Sequence, residues 1–465
     1  MASLSQIDHF VVLMLENRSF DNLFGWLHRG DPNFAGLTGE ESNPDPQGQP
    51  VKVWSDVEAP ASAWMPTPDP GELFTDINEQ LFDGNAPTGT PSMHGFVHNY
   101  AKQAGSSPRD IMHCFQPEQV PVLSALARGF AVCDRWFAAA PCQTWPNRFF
   151  VHTATAGGHE NNSPVHFPYM MPTIFNALDD KTPDGWKIYF HDFPQSLTLA
   201  RLWDHLDHFC RFDTFLDDAK AGKLPSYAFI EPRYFADIDW PNDMHPPHNI
   251  GYGEQLVAQI YNALRQSPNW SSTMLIITFD EHGGCYDHVP PPAAPMPEQP
   301  ASGQTFAFDR FGVRVPAVVV SPYIKAGTIF RAKGAQPFDH TAIIKTLRLR
   351  FGIAAPLTQR DADAPDLSSA LTLDAPSNQG PNVTPLPPPA SDDQAALDQA
   401  RLAPLNDFQT ALRDAASHLA PLADAESAAA YIQSLLGGLQ PASSTADSPQ
   451  AALPAILAAI RKLLP

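Results

Sequence analysis

The sequence predicts an α/β fold, a sheet with helices on both faces, on three observations. Short apolar, β-branched runs recur along the chain with helix-periodic stretches between them, the alternation that builds such sheets. The 465 residues are 43% hydrophobic and 10% aromatic, ample for a large core. The 49 prolines, roughly twice the usual share of about 5%, argue for long stiff loops and against an all-helical bundle.

Taken in order, the first run spans 10–15 in IDHFVVLML and reads as a buried strand, being too short for a signal-peptide core and lacking a basic leader. Further strands are predicted at 130–133, 227–230, 274–279 and 315–320. Helical spacing places Leu256, Val257, Ile260, Tyr261 and Leu264 on one face of a helix over 254–266. A second helix over 340–351 carries Ile343, Ile344, Leu347 and Leu349. Residues 36–110 are rich in Pro, Gly, Asn and Asp without periodicity, a long loop region able to cover a site. Beyond Ile353 the texture changes, which divides the chain into a main domain over 1–360, a linker over 361–392 containing NVTPLPPPAS, and a tail over 393–465. The tail is an Ala-rich helical appendage, with helices predicted at 393–418, 425–436 and 451–463.

Charge narrows the partners. With 29 Lys and Arg against 50 Asp and Glu the net charge is −21, which argues against a nucleic-acid binder relying on phosphate neutralisation. It also disfavours docking to anionic membranes, so lipid contact is expected to be peripheral. No window approaches the roughly 20 apolar residues of a membrane span. With no signal visible, the chain is expected to be cytoplasmic or exported by a non-classical route. Cys114, Cys133, Cys142, Cys210 and Cys285 lack CxxC spacing, so neither a structural zinc site nor a disulfide framework is signalled.

The strongest chemical signal is ITFDEHGGCYDHVPPP, where an apolar strand ends in Asp280, Glu281 and His282 before a Gly pair. Ligands of open α/β sheets sit beyond the carboxyl ends of strands. The first strand also ends in oxygen donors, Glu16 and Asn17, so a shared metal site is plausible. The oxygen-rich set suits a hard cation such as Mg, Ca or Mn, and zinc also accepts carboxylates. Glu16 could instead cap the next helix, and Asp280 and Glu281 could be a solvated strand-end turn. Thr144 in CQTWPNRFF is the candidate nucleophile, because Pro146 fixes the turn and a nearby metal lowers the cost of an alkoxide; the plain alternative is a turn residue. In WPNDMHPPHNIGYGE, a histidine such as His245 could donate a proton to a leaving oxygen. Asn147, His191, His282 and His288 are candidates for contacting substrate, and His94 and His340 are further histidines of interest.

The segments IDHFVVLMLENRSFDNLFGWL, TWPNRFFVHTATA, LIITFDEHGGCYDHVPPP, FGVRVPAVVVSPYIKAGTIF and PFDHTAIIKTLRLRFG resemble, in order and over residues 6–355, the phosphoesterase family. That family joins bacterial phosphatidylcholine-hydrolysing phospholipases C, plant non-specific phospholipases C and acid phosphatase A type enzymes. The resemblance implies an alkaline-phosphatase-like α/β/α sandwich with a mostly parallel central sheet. It further implies one or more divalent metal ions held by Glu16, Asn17, Asp280 and Glu281 with Thr144, which matches the nucleophile of the phospholipase branches. His245 would contact the phosphate or protonate the leaving group. Two positions depart from the family pattern: Glu72 stands where many members carry histidine, and His94 where they carry asparagine. These are expected to compensate, Glu72 as an added ligand or base and His94 near the phosphate. The implied function is hydrolysis of a phospholipid to diacylglycerol and a phosphorylated head group through a phosphothreonine. The alternatives are a phosphomonoesterase and, from another class, a noncatalytic phosphate- or lipid-binding protein.

Overall fold

The computed structural model describes residues 3–56, 63–179, 181–237, 239–300, 304–389 and 391–419. Among these the strands are β1 (His9–Leu15), β2 (Ser42–Pro44), β3 (Pro50–Lys52), β4 (Ala131–Val132), β5 (Trp186–Phe190), β6 (Phe209–Arg211), β7 (Tyr227–Glu231), β8 (Thr273–Phe279), β9 (Ala317–Val320) and β10 (Thr328–Ile329). All but β2 and β3 form one sheet in the order β10-β4-β9-β8-β1-β7-β5-β6. Only β9 runs against its neighbours β4 and β8, and the other pairs are parallel. The expected α/β architecture with a mostly parallel central sheet is therefore observed. β1 and β8 are buried at every position, which is why their sequences are continuous apolar runs rather than alternating ones. Their register pairs Leu15 with Phe279, so the chain leaves both strands side by side, at Glu16 and at Asp280.

The α-helices are α1 (Phe20–Phe24), α2 (Phe74–Phe82), α3 (Phe96–Tyr100), α4 (Pro121–Gly129), α5 (Thr144–Thr153), α6 (Ile174–Leu178), α7 (Phe212–Ala221), α8 (Ile250–Gln266), α9 (Thr341–Phe351), α10 (Gln359–Asp363), α11 (Gln394–Ala400) and α12 (Asp407–Leu419). α8 starts where the Asn249 side chain accepts from the Gly251 N–H, and it buries the five apolar residues its periodicity predicts. α9 buries Ile343, Ile344 and Leu347, whereas Leu349 is 55% exposed. Leu349 lies only two residues beyond Leu347, a step that turns it away from the buried stripe.

The region 36–110 is not a structureless loop. It holds the β2–β3 hairpin and helices α2 and α3, whose Ile77, Leu81, Phe96, Val97 and Tyr100 make a second hydrophobic cluster with Met112, Tyr286 and Val313. This cluster carries residues 69–72 to the sheet's carboxyl edge.

The stretch after α10 runs over the main core. Leu367, Ala370, Leu371 and Val383 are buried in it, and the Tyr261 hydroxyl donates to the Pro381 carbonyl at 2.9 Å. α12 adds Phe408, Leu412, Ala415 and Ala416 to the same core, with the Phe408 ring edge-on to Tyr234 at 4.8 Å. The helices expected at 425–436 and 451–463 lie outside the described residues. No helix among the described residues is long and apolar enough to cross a membrane.

Candidate active site

Two strand ends set the position of the site. Asn17 adopts φ 54°, a left-handed turn that asparagine tolerates better than most residues. The turn aims its N–H at Asp280 Oδ1, 2.9 Å away. Beyond Glu281 the chain reverses through Gly283 (φ 59°) and Gly284 (φ 66°). A Cβ on Gly283 would stand 2.3 Å from the Asn17 carbonyl oxygen, and one on Gly284 2.6 Å from Pro70. The Gly pair thus permits the close approach of the two turns that brings Glu16, Asn17, Asp280 and Glu281 together, all four fully buried.

Thr144 is the first residue of α5, so its hydroxyl lies at the helix's positive end. Its Oγ1 stands 3.3 Å from both Glu16 Oε2 and Asn17 Oδ1. Arg148 follows one turn later on the same helix face. It donates from Nε to Glu16 Oε1 at 2.7 Å, from Nη2 to the same oxygen, and to the Met14 carbonyl at 3.0 Å. One side of α5 therefore holds both oxygens of Glu16, the first by ion pairing and the second beside the hydroxyl.

Glu72 and His245 also join this group. Glu72 Oε2 accepts from Asn17 Nδ2 and lies 3.7 Å from His245 Nε2. His245 Nδ1 is 2.5 Å from the Pro246 carbonyl, an oxygen that can only accept, so the proton sits on Nδ1 and neutral Nε2 is a bare acceptor. Burial holds His245 near a pKa of about 4. Asp69 Oδ1, at 3.7 Å, and Asn406 Nδ2, at 3.4 Å, approach His245 Nδ1 from the other side.

The electrostatics call for positive charge. Burial raises Glu16 against the opposing pull of Arg148, and burial raises Asp280, Glu281, Glu72 and Asp69, the last three reinforced by neighbouring carboxylates. Asp280 Oδ2, Glu281 Oε1 and Glu72 Oε1 are buried without a hydrogen-bond partner, an arrangement that costs free energy unless a cation meets it. Oxygen donors in this number fit a hard divalent cation.

Other predicted residues do different things. Asn147 is spent on the loop before Thr144: its Oδ1 accepts from the Ala140 N–H at 3.0 Å, and its Nδ2 donates to Cys142 at 2.8 Å and Gln143 at 3.1 Å. It fixes the loop before Thr144. His94 is exposed and shares no hydrogen bond with the cluster, so the structure does not bring it to Glu72. His282 is buried between Glu281 Oε2 (3.1 Å) and Gln80 Oε1 (2.8 Å), kept neutral by burial with a pKa of about 3. His191 stacks on Phe212 at 4.3 Å, its Nδ1 3.1 Å from the Glu231 carbonyl, and shares no hydrogen bond with Glu16, Asn17, Asp280 or Glu281. His288 belongs to a second cluster with Asp21, Asp287 and Arg314. Arg314 donates to Asp21 Oδ1 at 2.9 Å and Asp287 Oδ1 at 3.0 Å, and His288 Nδ1 meets Asp21 Oδ2 at 2.6 Å. Asp21, Asp287 and His288 are close enough to share an ion, and the Arg314 guanidinium pairs with both carboxylates.

Sequence reasoning missed Arg148 and Asp69. Arg148 carried a usable signal, a charged residue one turn after Thr144 on a fully buried helix. His340, noted at a helix start, buttresses the site by placing Nε2 2.6 Å from the Asp280 carbonyl.

The model of the Phosphoesterase family matches residues 7–354. The chain is 40% identical over 419 residues to non-specific phospholipase C6 of Arabidopsis thaliana, covering 85% of this chain and 79% of that protein. It is 38% identical over 435 residues to non-specific phospholipase C1 of the same plant, covering 89% and 79%. A non-hemolytic phospholipase C of Burkholderia pseudomallei is 27% identical over 496 residues, covering 87% and 67%. Among solved structures it is similar to a protein in the alkaline phosphatase superfamily from Vibrio parahaemolyticus, at 12% identity and a TM-score of 0.31, over 54% of this chain and 70% of that one. With three quarters of its length matched and the motif residues gathered at one sheet edge, the chain belongs to the phosphoesterase family.

Proposed function

We propose that this phosphoric-ester hydrolase is a metal-dependent phosphodiesterase of phospholipase C type, with glycerophospholipids as substrates and Thr144 as nucleophile. The observation that carries the reading is the Thr144 hydroxyl at a helix N-terminus, 3.3 Å from Glu16 Oε2 and Asn17 Oδ1, among carboxylate oxygens that lack partners. Relatives bearing the name phospholipase C support the substrate class.

Glu16, Asn17, Asp280, Glu281 and Thr144 would hold the cation, with Glu72 at the same cluster. When bound, the cation offsets the carboxylates' charge, draws the phosphate in and favours the Thr144 alkoxide. Arg148 opposes the burial that raises Glu16's pKa and orients the carboxylate. Thr144 gives its hydroxyl proton to Glu16 Oε2, 3.3 Å away, and its oxygen forms a bond to phosphorus as the bond from phosphorus to the glycerol oxygen breaks, while protonated His245 gives its Nε2 proton to that leaving oxygen. The negative phosphate together with Asp243 favours this protonated form. Water then attacks phosphorus with His245 taking back a proton, the bond from phosphorus to the Thr144 oxygen breaks as Glu16 returns its proton to that oxygen, and the phosphorylated head group departs.

The substrate class is tested by comparing kcat/KM on phosphatidylcholine in mixed micelles with that on nitrophenyl phosphate. A clear preference for the diester is expected, and equal or better turnover of the monoester would make the chain a phosphomonoesterase.

A further inference from the structure

Buried polar atoms without partners fall into two sets around Thr144. Those from the strand ends and Glu72 are acceptors, Asp280 Oδ2, Glu281 Oε1 and Glu72 Oε1, the set that calls for a cation. Those at the start of α5 are donors, Gln143 Nε2 and Asn162 Nδ2. Gln143 immediately precedes Thr144 and is 2% exposed, and Asn162 is 4% exposed.

The path of the chain explains why Asn162 is there. After Thr153 it turns through Ala154 (φ 60°) and Gly158 (φ 83°). It then returns along the ten-residue helix, a distance of about 15 Å, to the helix's first turn. There Asn162 Oδ1 accepts from the Trp145 N–H at 2.8 Å, and the Asn162 N–H donates to Gln143 Oε1 at 3.1 Å. These bonds fix both amides. A backbone N–H can only donate, so the atom facing it is oxygen, and each side chain is left with an unused NH2 group. The run of bonds from the Trp145 N–H through Asn162 to Gln143 carries the positive potential of the helix end outward and polarises those NH2 groups.

Buried donors left unpaired cost free energy until an acceptor meets them. Here they belong to the residue before Thr144 and to the residue that caps Trp145, the residue after it. A helix end favours an anion over a neutral acceptor. A phosphoryl group satisfies both sets at once, its oxygens taking the amide donors while a cation beside it takes the carboxylates.

We propose that Gln143 and Asn162 are phosphate-binding residues, their NH2 groups donating to the nonbridging oxygens of the phosphoryl group at Thr144. The proposal rests on the reading that phosphate binds at Thr144. Charge spreads over those oxygens during the displacement, so the donors serve kcat as well as KM.

Inorganic phosphate, titrated calorimetrically into the full chain as purified and without chelator, tests the proposal without turnover. Asn162→Asp keeps an oxygen for the Trp145 N–H but has no donor, and Gln143→Met removes the other donor without adding charge. The control is Asn161→Asp, on the exposed neighbour whose Oδ1 accepts from the Ser163 N–H at 3.0 Å. Asn162→Asp and Gln143→Met should each weaken phosphate about tenfold or more, the scale of a hydrogen bond to a charged group, and Asn161→Asp less than about twofold. Metal content and, for Asn162→Asp, the urea midpoint should stay at wild-type values, since a carboxylate suits a helix N-terminus. On a soluble nitrophenyl phosphodiester the two donor variants should lose kcat as well as affinity. Unchanged phosphate affinity in either donor variant overturns the proposal and leaves the amides as a helix cap. An equal loss in Asn161→Asp overturns it too, because charge alone would then be responsible. If the wild-type chain binds no phosphate, the phosphate reading of the Thr144 site fails and the proposal with it. If the donor variants lose affinity as expected while Thr144→Ala hydrolyses the diester normally, the donors stand and Thr144 is not the nucleophile.

Discussion

Replacing Arg148 with methionine removes the guanidinium that holds Glu16 while keeping much of the side chain's volume. Both residues have fully buried side chains. Three hydrogen bonds are lost, two to Glu16 Oε1 and one to the Met14 carbonyl, along with the stacking of the guanidinium over Tyr234 at 5.5 Å. Removing one partner of a buried pair costs about 3–5 kcal/mol. The upper end is expected here because Asp280 and Asp243 already push against a charged Glu16. The assay is urea unfolding in the presence of a chelator, so that no cation takes the arginine's place. Adding Glu16→Gln to Arg148→Met should return part of the loss, giving a coupling of about 1–3 kcal/mol in the double-mutant cycle. Saturating divalent cation should narrow the deficit, since binding stabilises the folded chain. A loss below about 1 kcal/mol in chelator, or additive effects of the two substitutions, would refute the claim that this pair sets the site's electrostatics.

Two further outcomes follow from the packing. At His288, burial pushes the pKa down but Asp21 outweighs it, leaving the folded value above the usual 6.5; stability from this pair is present in full below pH 6.5 and is lost as pH rises through the higher folded value. His288→Gln should therefore cost more stability well below pH 6.5 than well above the folded value, and a penalty independent of pH would show that the imidazole's charge is not used. Phe408→Ala should cost about 3–5 kcal/mol in urea unfolding, because its ring is fully buried against Tyr234; a cost under about 1 kcal/mol would show that α12 adds little to the core.

Much of this was legible in the residues, for identifiable physical reasons. β1 and β8 are central parallel strands covered on both faces, so their sequences are unbroken apolar runs that end abruptly at Glu16 and Asp280. That abruptness marks the cluster. β5 and β6 gave no such signal: WKIYF and FCR are short, carry charged residues and lie toward one edge of the sheet. The helices of region 36–110 were hidden because α2 alternates its apolar residues with Asp76, Asn78 and Glu79, a surface pattern that becomes a core face only against α3. Asn147's bonds to its own loop were not legible because a polar residue beside Thr144 looks the same in sequence whether it faces substrate or its own backbone. Asp69, Glu72 and Asn406 reach His245 from chain positions far apart, contacts that only the folded topology reveals.

The central claim is that Thr144 becomes covalently phosphorylated, and the configuration of the product tests it most directly. Each in-line displacement inverts phosphorus, so attack by Thr144 followed by attack of water retains configuration overall. With a diester made chiral at phosphorus by sulfur and isotopic oxygen, the reaction should give net retention. Net inversion would mean that water attacks the substrate directly, and Thr144 would then be no more than the first residue of α5.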